Sequence, residues 1–100
     1  METKSTERRR EPRAKLSQRV RVRPLDSNYA KEVCTTLNVS RNGLCFVTSA
    51  GHYLSGMEVY VIRNFYPDDP MGREEAGKVV RVEKLRTGKW SVAVRVAPAI

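Results

Sequence analysis

Two short groups of residues carry the polar chemistry of this 100-residue chain. The first is Glu7-Arg8-Arg9-Arg10-Glu11-Pro12-Arg13. Pro12 fixes its own φ and disfavours the α region at Glu11, so the segment favours an extended form. Arg9 and Arg13 then stand apart like two arms of a clamp. Guanidinium forks pair with phosphate oxygens, read O6 and N7 of guanine side by side, and stack on base faces. The second group is Asn38-Val39-Ser40-Arg41-Asn42-Gly43. If Leu37 and Val39 point into a core, the period of two sends Asn38 and Ser40 together to the opposite face. An amide and a hydroxyl would be presented there, and Gly43 would permit a close backbone approach or a bulge. Taken alone, each group is ordinary: Asn, Ser and Gly form turns, and a charged run is commonly a solvated tail.

The rest of the chain offers little reaction chemistry. His52 is the one histidine, set beside Tyr53 in an expected loop with no Ser, Cys or carboxylate partner evident. Cys34 and Cys45 lack metal-type spacing and fall within expected strands, where a free cysteine acts as a small hydrophobe. Asp68-Asp69 and Glu74-Glu75 flank a proline-containing loop and read as solvated acids, so no metal is expected. Trp90 is expected to pack on the fold. The pattern is that of a binding protein, not an enzyme.

The elements that would position the two groups follow from hydrophobic period. Leu16, Val20 and Val22 alternate with polar residues, as do Val33, Thr35, Leu37 and Val39. Leu44 and Phe46, the run Met57–Arg63, Val79–Leu85, and Trp90, Val92, Val94 and Val96 continue the pattern. Asn42-Gly43, Gly51, Gly56 and Thr87-Gly88 supply turn chemistry between the runs. Six short strands without an amphipathic helix predict an all-β fold, a small six-stranded antiparallel β-barrel whose closure removes exposed edges. A flexible basic N-terminal arm over residues 1–15 would precede a barrel domain over 16–100. Residues 1–23 hold nine basic and three acidic side chains, +6 of the +8 net charge, so the excess belongs to the N-terminal segment. Such an arm attracts phosphate by Coulomb steering. No uncharged apolar run approaches the roughly 18 residues of a membrane span, and the charged N-terminus lacks a secretory core, which predicts a cytoplasmic protein without membrane insertion.

In order and at this separation, the two groups resemble the PilZ domain family, small six-stranded barrels that receive the bacterial second messenger cyclic di-GMP. The family pairs an N-terminal RxxxR, here Arg9 to Arg13, with a later [D/N]xSxxG, here Asn38 to Gly43. Glu7-Arg8 before the clamp, Leu37 and Leu44 around the second motif, and Gly56-Met57-Glu58-Val59 extend the likeness over residues 7 to 97. The resemblance implies cyclic di-GMP as ligand, with no cofactor. Arg9 and Arg13 would grip guanine edges and phosphates. Asn38 and Ser40 would hydrogen-bond a guanine, Gly43 would leave room for it, and Arg8 would add a further contact. It also implies a protein partner in motility, pilus or polysaccharide machinery. Two features depart from the commonest pattern. Asn38 stands where an Asp could accept from both N1 and N2 of guanine. The chain also stops at Ile100 without the C-terminal helix of many relatives. Two alternatives stay open at this point: a nucleic-acid-binding barrel, for which a row of exposed aromatics is lacking, and a PilZ-like interaction module without nucleotide.

Overall fold

The computed structural model describes residues 17–69 and 72–97. The expected arm, with Arg8, Arg9 and Arg13, lies outside the described residues, as do Leu16, Pro70, Met71 and Pro98. Six strands follow in chain order: β1 (Arg19–Pro24), β2 (Glu32–Ser40), β3 (Gly43–Thr48), β4 (Glu58–Arg63), β5 (Glu75–Lys84) and β6 (Trp90–Val96). They close into an antiparallel barrel in the order β1-β2-β3-β6-β5-β4, and no helix occurs among the described residues. The all-β barrel expected from the period of two is therefore the observed fold.

Valine makes most of it. Val20 and Val22 of β1, Val59 and Val61 of β4, Val79 of β5 and Val92, Val94 and Val96 of β6 all point inward around Phe46. Branching at Cβ suits each of them to the pleated sheet, where one face is dry. The β5–β6 hairpin turns at Thr87-Gly88 as expected, with Gly88 at a φ of 92°, a conformation that costs glycine little and other residues more. Trp90 packs against the core, and Lys84 Nζ lies 5.2 Å from the centre of its ring.

One end of the barrel is stoppered by the β3–β4 connection. Tyr53 inserts edge-on against Phe46, with ring centres 5.4 Å apart. Its hydroxyl donates to Glu32 Oε2 at 2.7 Å, while the Thr48 hydroxyl donates to the same carboxylate at 3.0 Å. Burial, reinforced by the neighbouring Glu32 carboxylate, raises the Tyr53 phenol above its ordinary range. The same causes, burial first, push the Cys34 thiol up to about 12, so it stays protonated. His52 is wedged between Tyr29, stacked at 4.4 Å, and Tyr53, at 4.2 Å.

The phase of β2 corrects one expectation. Val33, Thr35 and Leu37 were expected inside, yet Val33 is 51% and Leu37 46% exposed, while Cys34 and Thr36 are buried. A bulge explains the reversal. Thr36 faces Phe46 and Asn38 faces Cys45, so Leu37 is an extra residue with no partner on β3. Beyond it the phase inverts, and Val39 turns toward the core. A second bulge at Val80 interrupts β5 in the same way, between Val79 opposite Val94 and Arg81 opposite Ala93. Of the expected turn glycines, Gly56 and Gly88 take a positive φ, whereas Gly43 and Gly51 do not.

Candidate functional site

Antiparallel closure gathers the start of β1, the β2–β3 turn, the end of β4, the start of β5 and the end of β6 at one rim. The stoppered end is the other. The chain joins β1 beside the second motif: Gln18 N donates to Thr36 Oγ1 at 2.9 Å, and Gln18 O accepts from Thr36 N at 2.9 Å. Thr36 lies two positions before Asn38 on the same strand. The elements therefore bring the root of the basic segment and the Asn38–Gly43 segment together.

Asn38 and Ser40 both face outward, as expected, although the premise that Leu37 lies inside is wrong. The bulge supplies the same orientation by another route. No described residue hydrogen-bonds the half-buried Asn38 amide. The Ser40 hydroxyl donates to Gly43 O at 3.3 Å, which leaves its lone pairs free to accept. Gly43 has a structural reason of its own: a Cβ there would sit 2.7 Å from Val94 O, a main-chain atom that cannot swing aside. Glycine is what lets β3 lie this close to β6 at the rim, and the same missing side chain leaves the outer surface bare.

Outward-facing residues of β2, β3, β6 and β5 form a groove of about 660 Å³. Its floor holds Gly43, Cys45 and Ala93; Asn38 and Ser40 stand on one side, and Val80, Arg81 and Arg95 on the other. Two arginines and no acid line it. Cys45 is only 8% exposed, with Sγ 3.1 Å from Ser91 Oγ. Flat, small residues thus occupy the middle of a polar, cationic shelf.

Two basic residues at this rim belong to neither sequence motif. Arg63, at the end of β4, donates from Nη1 to Ser40 O at 2.8 Å and to Arg41 O at 3.3 Å. Its Nε and Nη2 engage both oxygens of Glu75 at 2.9 and 3.0 Å, so one guanidinium ties the β2–β3 turn to β5. Arg95 pairs in register with Gly43. Neither was legible in the chain, because only strand order makes residue 63 a neighbour of 40, or 95 of 43. Arg21 and Arg23, counted with the basic segment, both bind Glu74 at 2.8 Å and lie over Phe65 and Tyr60. Their charge is therefore engaged locally. Among the described residues, no cluster of three or more His, Cys, Asp or Glu could hold a metal ion, and no helix is long and apolar enough to cross a membrane.

The fold and the groove define a small closed β-barrel whose candidate ligand surface is its outer wall, since the interior is filled with side chains. The PilZ domain model matches residues 7–99, and the chain belongs to the PilZ domain family. Among solved structures, the Bacillus subtilis inhibitor of motility MotI/DgrA is similar, with a TM-score of 0.68 and 19% identity over 97% of this chain. That likeness is one of fold, and this chain spans 46% of the other's length. No curated protein matches the sequence.

Proposed function

We propose that the protein is a cyclic di-GMP receptor and adaptor in which the N-terminal arginines close over a nucleotide lying on the barrel's outer wall. The carrying observation is the placement of Asn38 and Ser40, outward over a groove lined by arginine and free of acid, two and four positions along β2 from where the N-terminal chain joins the barrel. Asn38 would pair with guanine through its amide, and Ser40 through its hydroxyl, while Gly43 leaves the surface bare. Arg9 and Arg13 supply the opposing grip on guanine edges and phosphates, with Arg8 as a further contact.

Chain length permits the closure. Arg13 stands four residues before Ser17, a reach of at most roughly 13–14 Å, and Arg9 eight residues before, at most roughly 26–29 Å. The strand distance from Thr36 to Ser40 is about 13 Å at 3.2–3.4 Å per residue. Ordering such a segment costs about 2–5 kcal/mol, and charged hydrogen bonds at about 1.5–3 kcal/mol each offset it when two guanidiniums engage.

The output in this reading is a surface for a protein partner, not a reaction. Motility, pilus or polysaccharide machinery is the class of partner that the family suggests, and an inhibitor of motility shares the fold. A nucleic-acid role is less well supported, because the rings of Phe65 and Tyr60 are covered by Arg21 and Arg23 instead of standing open for stacking.

Calorimetric titration of the full chain with cyclic di-GMP, with GTP as competitor, tests the reading. Saturable binding that GTP does not displace is expected. Arg9→Ala or Arg13→Ala should abolish measurable binding, whereas Arg10→Ala should cost less than about threefold. Wild-type affinity in the Arg13 variant would defeat the clamp. Binding that instead tracks salt steeply and is indifferent to which arginine is removed would favour nucleic acid.

A further inference from the structure

We infer that Arg95 is a third wall of the nucleotide site, closing on a guanine base from the side opposite Asn38 and Ser40. This inference rests on the receptor reading above and extends it to a residue outside both sequence motifs.

The argument begins with one row of the sheet. Ser40 pairs with Gly43, and Gly43 pairs with Arg95, so the three lie side by side across β2, β3 and β6. The middle position has no side chain, and Val94 O forbids one. A hydroxyl and a guanidinium therefore face each other across bare backbone, two strand spacings or about 10 Å apart at their Cα atoms. The adjacent row repeats the pattern, with Asn38, Cys45 and Ala93 in register and only a thiol and a methyl in the middle. Together the rows make a slot with a flat floor and polar sides, wide enough for a purine ring.

Charge points the same way. Arg95 is exposed, and no described residue pairs with it. Its register neighbour on β5 is Lys78, a like charge directly across the ladder, which itself faces Glu58 on β4. Arg81, the next arginine along the groove, has Glu83 at 3.5 Å. Among the described residues, Arg95 is thus the cation of the groove wall left without an acceptor. A guanidinium matches O6 and N7 of guanine with two parallel hydrogen bonds in one plane and can also stack flat on the ring, a geometry that the point charge of a lysine ammonium does not reproduce.

The test uses the full chain and cyclic di-GMP. Arg95→Ala should weaken binding at least tenfold, or about 1.4 kcal/mol. Arg95→Lys should recover less than threefold of the loss, and Arg86→Ala, on the turn at the far rim, should change affinity less than twofold. Unfolding midpoints of the variants should match the wild type, since Arg95 has no partner in the described fold. Wild-type binding with unchanged affinity in Arg95→Ala overturns the third wall while leaving the receptor reading intact. Full rescue by lysine overturns it too, by reducing the contact to a point charge. Absence of binding by the wild type overturns both.

Discussion

Glu74 and Glu75 are neighbours in the chain yet bind different strands. Glu74 turns to Arg21 and Arg23 of β1, while Glu75 takes the fork of Arg63. As a pair of acids beside a loop they carried no sign of this in the sequence, where solvation was the expectation, because their partners are more than ten residues away in each case. The Arg23 hydrogen bond holds the Glu74 carboxyl below its ordinary range; burial, next in size, opposes it, and the Arg21 hydrogen bond and the two arginine charges add to the lowering. A carboxyl lowered on folding contributes stability above its unfolded pKa, and that contribution disappears as pH falls through the folded value. Glu74→Gln should therefore cost about 0.2–1 kcal/mol at pH 7, the range of a solvent-accessible pair, and the gap to wild type should narrow as the pH falls below about 4. Urea unfolding at pH 7, 5 and 3 measures it, and a gap that widens toward acid would contradict the sign.

At the scale of the strand, period two was sufficient in β1, β3 and β6 and insufficient where a bulge interrupts it, in β2 and β5. In β1, β3 and β6 the alternation of Val20 and Val22, Leu44 and Phe46, and Val92, Val94 and Val96 matches what is buried. In β2, both phases are plausible: Val33, Thr35 and Leu37 on one side, Cys34 and Thr36 on the other. Alternation cannot decide between two faces of comparable polarity, nor can it locate an extra residue, since a bulge is a property of the pair of strands and not of either alone. The outward direction of Asn38 and Ser40 was thus legible from Val39 but not from Leu37. The difference is measurable. Leu37→Ser should change stability by less than about 0.5 kcal/mol, as for an exposed site, whereas Val39→Ser, which removes apolar packing from the core, should cost about 1–3 kcal/mol. Equal losses in the two variants would mean that Leu37 is not the bulged residue.

Across the whole molecule the two rims divide the work. One is sealed by Tyr53, Glu32 and Thr48 around Phe46, and it carries the groups whose burial makes them poor at binding anything. The other holds Asn38, Ser40 and Arg95 over the open groove, with Arg63 bracing the β2–β3 turn. A barrel of this size has a modest core, with Phe46 the largest of its fully buried side chains, so its margin of stability is small. Any ligand that binds only the folded chain then appears directly in the unfolding midpoint. At a cyclic di-GMP concentration one hundred times the dissociation constant, the gain is about 2.7 kcal/mol. For a domain near 100 residues each kcal/mol moves the midpoint by roughly 4–8 °C, so the shift expected is roughly 10–20 °C. Arg13→Ala should abolish the shift at the same concentration while leaving the ligand-free midpoint where it was, because the described ladders of β1 with β2 and β4 are made by residues 19–24. A variant whose free midpoint falls instead would show that the arginine props the barrel, and the clamp would lose its separate standing as a ligand device.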